Sequence, residues 1–154
     1  MKRIIILVAI IMFGSGAFAG YMGRTPTVIP QTKTVTVPSK EITVYDLWVD
    51  TNKLRTDPLV LDEKLNDTAQ AKCTDMAKKN YWAHGDWTSF VFPLNRDKYG
   101  ENLAYGQTTA QQVTDDWQRS PEHYKNIIDT GFHEVGFAVC PFRGTNLIVE
   151  HFSN

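Results

Sequence analysis

The sequence contains few cysteines and no closely spaced pair of them. Cys73 and Cys140 are the two in the chain, so a C-x-x-C zinc site is excluded. In an oxidising compartment an even count predicts a disulfide, and closing so long a loop stabilises by roughly 4 kcal/mol on the chain-entropy model. The alternative is a pair of buried thiols.

The sequence also has little net charge and lacks the common motifs of hydrolases. Sixteen basic and 17 acidic residues give a net charge of −1. No basic stripe follows residue 24, which argues against nucleic acid as a partner. Neither G-x-S-x-G nor H-E-x-x-H occurs, so no nucleophile elbow or paired-histidine zinc helix is recognisable. No internal repeat is visible.

One long hydrophobic run is present, and it lies at the N-terminus. Lys2 and Arg3 precede the apolar stretch 4–13, and an A-x-A site follows at Ala17-Phe18-Ala19. Residues 1–23 are therefore predicted to be a signal peptide, or a membrane anchor through residues 4–22 if the chain is not cleaved after Ala19. Either way the positive-inside rule predicts a secreted or extracytoplasmic protein.

Residues 24–42 have the composition of a linker. Pro26, Pro30 and Pro38 are spread among many threonines, which favours an extended, semi-rigid tether. A folded domain is then expected over residues 43–154.

The pattern of this domain predicts helices first and a β-hairpin last. Helices are expected over 43–55 and over 61–80 with Asp62 as N-cap, and a short one within 88–99. Thr109 and Gln112 form a T-x-x-Q capping box for a further helix. Strands 134–140 and 146–152 are predicted to form an antiparallel hairpin, with Gly136 a point of close packing. The predicted fold class is α+β, with helices packed on a small antiparallel sheet.

Several ionisable residues stand in positions that suggest a binding site. Ser120 and Pro121 are predicted to begin a helix, which places Glu122 and His123 in its first turn. Glu122 can equally compensate the helix dipole, and His123 can be a capping or core residue.

Two further segments supply candidate site residues. His84 follows a predicted helix among three aromatic residues, a setting that fits either a cleft wall or an aromatic hinge. Glu101 is flanked by apolar residues and needs a partner if it is buried. His133 and His151 lie on or beside strands and are expected to be ordinary surface or core residues.

Taken in order, these motifs resemble the CAP superfamily, also called the SCP domain, and above all its compact bacterial branch. The superfamily comprises cysteine-rich secretory proteins, antigen 5 and pathogenesis-related proteins. The residues that carry the likeness are Asn52 and Arg55, Leu61-x-x-x-Leu65-x-x-x-Ala69, His84, Gly100-Glu-Asn-Leu-Ala104, Trp117-x-x-Ser-Pro-x-His123, Asn126-Ile-Ile, Val135-Gly136 and Phe152.

The resemblance implies an α-β-α sandwich with an open cleft lined by two histidines and two glutamates. By motif three of these four are His84, Glu101 and His123. Where larger members carry the second glutamate this chain has Ser120, and Glu122 is the candidate substitute. Since some members hold a divalent cation, zinc or calcium is a possible cofactor here, with His84 and His123 as ligands.

The function expected from this resemblance is that of an exported binding module. Its cleft would take a small ligand, lipid or peptide at the cell envelope, and the N-terminal segment would contact the membrane if uncleaved. The alternatives are a metal-dependent, protease-like hydrolase that uses the same cleft, and a structural domain whose function lies on its surface loops.

Overall fold

The computed structural model describes residues 5–8, 32–35 and 41–154. The chain divides into two units, Met1–Ser39 and Lys40–Asn154. In the first unit, strand β1 (Ile5–Val8) pairs antiparallel with β2 (Thr32–Val35). The predicted signal or anchor segment and the predicted linker lie mostly outside the described residues. Within those residues, no helix combines the length and the apolar character needed to cross a bilayer.

The second unit contains four longer helices, one short helix, a 3₁₀ turn and four strands. In chain order they are α1 (Val44–Asn52), β3 (Val60–Leu61), α2 (Glu63–Lys79), α3 (Thr88–Val91) with the 3₁₀ turn Phe92–Leu94, β4 (Tyr99–Tyr105), α4 (Ala110–Arg119), α5 (Pro121–Ile128), β5 (Glu134–Phe142) and β6 (Thr145–Ser153). The helices predicted from the sequence are confirmed to within a few residues at each end.

The sheet has the strand order β3-β5-β6-β4. Both β4 and β5 pair antiparallel with β6, as expected for the predicted small antiparallel sheet. The two-residue strand β3 pairs parallel with β5, so the sheet is mixed rather than wholly antiparallel. A two-residue strand is too short to produce a period in the sequence, which is why it was not predicted.

Helices cover both faces of this sheet, which confirms the α-β-α sandwich. On one face, residues of α1, α4 and α5 form a core with alternate strand residues; Leu47, Trp117 and Ile127 are fully or almost fully buried there. On the other face, α2 packs through Ala69, Cys73 and Met76.

Side chains at the helix starts explain why these helices begin where they do. Thr43 accepts from the N–H of Asp46 at 3.1 Å, and Asp62 accepts from that of Leu65 at 3.0 Å. The hydroxyl of Thr109 accepts from the N–H of Gln112 at 3.2 Å, as the capping box predicts. The Gln112 side chain accepts from the N–H of Thr108 instead of that of Thr109.

A disulfide and a glycine contact hold α2 against β5. Cys73 and Cys140 are joined by a disulfide across 67 positions of sequence, which confirms the predicted bridge. A Cβ on Gly136 would lie 2.2 Å from the carbonyl carbon of Leu65 and 2.3 Å from the backbone nitrogen of Asn66. Helix and strand backbones therefore meet at a position where any side chain would collide.

The β5–β6 hairpin is longer than predicted. Its strands extend to Phe142 and from Thr145, so Arg143 and Gly144 alone form the turn. Both residues have positive φ, 48° and 79°, which matches the type I′ geometry of two-residue hairpin loops. The expected five-residue connection over 141–145 is therefore wrong, because proline and glycine in that stretch resembled a longer loop.

Candidate functional site

The candidate site forms around β4, the edge strand of the sheet. In its antiparallel pairing with β6, Glu101 lies opposite His151 and Asn102 lies opposite Glu150. Because side chains alternate along a strand, Glu101 and His151 face α2, whereas Asn102 and Glu150 face the other helices. Two adjacent residue pairs thus supply polar groups to the two layers of the sandwich.

Glu101 is buried and hydrogen-bonded to two histidines. Its Oε1 lies 2.7 Å from His84 Nδ1, and its Oε2 lies 3.1 Å from His151 Nε2. Burial raises the pKa of Glu101 to about 8, while the Lys72 ammonium opposes that rise. The sequence-based expectation that this carboxyl has a partner is met by two imidazoles, one exposed and one buried.

His84 is the exposed member of this group. Its side chain is 53% accessible, whereas the carboxyl behind it is 1% accessible. Burial lowers the pKa of His84, with smaller contributions from His123 and Lys72. His84 therefore presents an imidazole to solvent that is held from behind by a buried carboxyl.

Lys72 holds the backbone of the segment that carries His84. This lysine is fully buried on α2, and its Nζ donates to the carbonyls of Ala83 at 2.9 Å and His84 at 2.5 Å. A third bond of 3.2 Å goes to the hydroxyl of Tyr81, which itself donates to Asp75. All three ammonium hydrogens thus have acceptors, and the residues after α2 are fixed to the helix.

His123 lies in the first turn of α5, on the other side of β4. Its Nδ1 is 2.8 Å from the hydroxyl of Ser120, and its carbonyl accepts from the Asn102 side chain at 3.2 Å. Burial lowers the pKa of His123, and the charge of Glu122 opposes that effect. The charge of His123 also contributes, after burial, to the lowered pKa of His84.

The residues around His123 differ in part from the prediction. Pro121 begins α5 as expected, but the Ser120 side chain makes no capping hydrogen bond to the backbone and contacts His123 instead. Glu122 is exposed on the first turn of the helix and acts on His123 through its charge. Of the four predicted cleft residues, His84 and Glu101 are in direct contact, the carbonyl of His123 is bonded to Asn102, which follows Glu101 on β4, and Glu122 is exposed.

A second buried carboxyl lies on the opposite face of the sheet. Glu150 is fully buried and accepts from Thr51 at 3.2 Å and Asn102 at 2.8 Å. Burial raises its pKa to about 8. The Asn126 amide donates to the Asn102 side chain at 2.9 Å and to the Glu101 carbonyl at 3.2 Å. This network fixes α5, and with it His123, against β4.

The geometry offers fewer metal ligands than a zinc site requires. Both oxygens of Glu101 are hydrogen-bonded to histidines, and His123 Nδ1 is bonded to Ser120. Among the residues that the structure describes, no three histidine, cysteine or carboxylate side chains are grouped to hold a metal ion, whereas a catalytic zinc takes three protein ligands. The described residues do not fit such a site, and the divalent cation stays a prediction.

Lys72, His151 and Glu150 belong to the site but were not singled out in the sequence. The sequence does contain an indication for Lys72, because this charged residue falls on the apolar face of α2 between Ala69 and Met76. His151 was expected to be an ordinary residue; it is buried, and it bonds to Glu101 and Thr68. Its contribution depends on the β4–β6 register, which the sequence does not show. His133 is exposed.

Comparison with known proteins identifies the family. The family model of CAP, described as the cysteine-rich secretory protein family, matches residues 52–152. This chain belongs to the CAP family. The matched region includes the histidines and carboxylates of the candidate site, and it confirms the resemblance inferred from the sequence motifs.

A bacterial relative supports the same assignment. The CAP chain is 31% identical over 126 residues to the protein YkwD of Bacillus subtilis (strain 168), in an alignment that spans 73% of this chain and 49% of that protein. The chain thus covers about half the length of this curated relative, and the activity of the longer protein does not transfer directly.

Solved structures share the fold at low sequence identity. An outer surface protein from Borrelia burgdorferi has a TM-score of 0.65 at 18% identity, covering 70% of this chain and 89% of that one. An extracellular SCP-domain protein from Bacillus anthracis has a TM-score of 0.64 at 20% identity, covering 72% and 40%. At these identities the likeness shows the CAP fold alone.

Proposed function

We propose that this CAP protein is an exported binding module whose cleft presents His84 and His123 to a small ligand, lipid or peptide at the cell envelope. The observation that carries the proposal is the contrast between the exposed His84 ring and the buried Glu101 and His151 behind it. Burying a carboxyl and an imidazole costs free energy, and apolar side chains would fill the same space more cheaply. A buried polar group behind an exposed imidazole supports a binding role.

Export is supported by independent features of the chain. The disulfide between Cys73 and Cys140 is of the kind found outside the cytoplasm. The N-terminal segment has the composition of a signal peptide, and two structural relatives are named as an outer surface and an extracellular protein. Membrane attachment through residues 4–22 and cleavage after Ala19 remain alternative predictions.

The proposal is tested by a ligand screen with paired histidine variants. We expect saturation-transfer NMR with a short-chain anionic phospholipid and a panel of tetrapeptides to detect at least one ligand. His84→Ala and His123→Ala should each weaken its binding by tenfold or more, the effect of losing roughly 1.4 kcal/mol. His133→Ala is the matched control, because His133 is an exposed histidine and is not one of the predicted cleft residues. Binding that all three variants retain would contradict the proposal.

A hydrolase is the second candidate, and the contact between Ser120 and His123 is the observation that favours it. A hydroxyl within 2.8 Å of an imidazole is the arrangement in which a base activates a nucleophile. Hydrolysis of an activated ester or a peptide that disappears with Ser120→Ala, while the fold is kept, would support this function. Hydrolysis unchanged in Ser120→Ala and lost in Glu101→Gln would instead assign the base to the carboxyl of Glu101.

A further inference from the structure

We propose that Thr68, His151, Glu101 and His84 form one hydrogen-bonded chain that fixes the His84 proton on Nδ1 and leaves Nε2 as a hydrogen-bond acceptor for the ligand. The chain runs from α2 through β6 and β4 to the exposed imidazole. It deepens the proposed binding function, because it states what kind of group His84 can accept.

The position of the proton in each hydrogen bond can be assigned by starting from Thr68. Its hydroxyl oxygen lies 2.9 Å from the carbonyl of Leu65 and 2.9 Å from His151 Nδ1. A carbonyl cannot donate, so the single hydroxyl proton of Thr68 serves the Leu65 bond. While that bond is kept, Thr68 accepts at its other side, which places the His151 proton on Nδ1.

Glu101 donates the hydrogen bond that joins it to His151. His151 is fully buried, and burial lowers its pKa to about 3, so the ring is neutral and carries one proton. With that proton on Nδ1, Nε2 directs a lone pair at Glu101 Oε2, 3.1 Å away. Two acceptors facing each other would repel, so the Glu101 proton is on Oε2.

The last step determines the tautomer of His84. With its proton on Oε2, Glu101 has an acceptor at Oε1, and His84 Nδ1 lies 2.7 Å from it. His84 must therefore donate from Nδ1. If Glu101 loses its proton, Oε1 is still an acceptor and the same His84 tautomer results, while His151 moves its own proton to Nε2 and Thr68 turns toward Nδ1.

The outcome is an imidazole with a lone pair at its exposed position. His84 Nε2 then accepts from a ligand hydroxyl, amide N–H or ammonium group. A ligand that offers only acceptors, such as a carboxylate, would not be bound at this atom by the neutral ring.

Substitution of Glu101 by glutamine tests the chain directly. The amide reproduces the protonated carboxyl, because its nitrogen donates to His151 and its oxygen accepts from His84. Long-range ¹H–¹⁵N NMR spectra of the full chain distinguish protonated from unprotonated ring nitrogens. We expect His84 to carry its proton on Nδ1 in the wild type and in Glu101→Gln, and to lose that form in Glu101→Leu.

Thr68→Val supplies a second test that leaves the Glu101 side chain in place. Without the hydroxyl, His151 should carry its proton on Nε2 and donate to Glu101 Oε2, which requires that carboxyl to release its own proton to solvent. Oε1 still accepts, so the His84 tautomer should be unchanged. A wild-type His84 protonated on Nε2, or a His151 tautomer unaffected by Thr68→Val, would overturn the proposal. No ligand is needed for these spectra, so their failure is distinguishable from a failure of the binding function.

Discussion

At the scale of single residues, Lys72 links the folding of α2 to the position of His84. Its ammonium is buried, and burial lowers its pKa. Three protein oxygens replace the water that it would otherwise bind. These contacts make Lys72 a stabilising residue for the loop that contains His84.

Replacing Lys72 with methionine should therefore destabilise the protein. The carbonyls of Ala83 and His84 would lose a buried donor, and leaving such acceptors unpaired costs about 2–4 kcal/mol in total. Urea unfolding followed by circular dichroism measures this loss. Lys78→Met is the control on the same helix, since Lys78 is exposed and its removal should change the free energy of unfolding by less than about 0.5 kcal/mol. Equal stability of the two variants would refute the assigned role.

The site residues were predictable from the sequence to different degrees. His84, Glu101 and His123 stand in recognisable motifs, and the structure brings the first two into contact. His151 was not predicted to contact Glu101, because the contact follows from strand register rather than from neighbouring residues. Ser120 was assigned a capping role from its type and position, but the nearby imidazole competes for its hydroxyl.

At the scale of elements, the close approach of α2 and β5 depends on Gly136. A Cβ there would meet backbone atoms of Leu65 and Asn66, which cannot rotate away as a side chain can. The disulfide joins the same two elements further along. The packing of α2 on the sheet in turn positions Thr68 and Lys72 beneath the site.

Gly136→Ala should consequently separate α2 from β5 and cost about 3 kcal/mol or more. The comparison is Gly100→Ala, where the nearest atom to a new Cβ is a ring carbon of Phe132 at 2.9 Å. A ring can shift, so this variant should lose less, about 1 kcal/mol. Thermal and urea unfolding of both variants measure which of them loses more stability. A larger loss for Gly100→Ala would show that the α2 contact is less rigid than described.

Sequence patterns predicted some helices and strands of the fold and missed others. The starts of α1, α2 and α4 were predictable because polar caps precede apolar faces. Strand β4 was not predicted as a strand, because Glu101 and Asn102 interrupt the apolar pattern expected of a buried segment. Both are buried through hydrogen bonds with distant residues, and only the tertiary structure makes the segment compatible with a strand.

At the scale of the whole molecule, buried titratable groups make stability depend on pH. Glu101 and Glu150 have raised pKa values, so the folded state holds their protons more tightly than the unfolded state. Their stabilising effect is complete below the ordinary glutamate pKa and is lost as pH rises toward about 8. His151 acts in the opposite direction, because burial lowers its pKa to about 3. Its contribution to the stability of the protein is lost as the pH falls below the ordinary histidine pKa.

We therefore expect the free energy of unfolding to fall as pH rises from about 6.5 to about 8, by roughly 1 kcal/mol per pH unit for each carboxyl. Glu150→Gln keeps an acceptor for Thr51 or Asn102 and removes one titrating group, so its stability should fall less steeply in this range. Urea unfolding at several pH values compares the two slopes. Parallel curves for the variant and the wild type would contradict a raised pKa at Glu150.

His84 and His123 are proposed to form one ligand-binding cleft, and the most direct test follows their ring NMR signals while a ligand from the screen is titrated. The predicted result is that the signals of both rings shift together to saturation while those of His133 stay unchanged. A ligand that saturates the protein without moving either cleft histidine would show that binding takes place elsewhere, and the cleft would then be a structural feature of the fold.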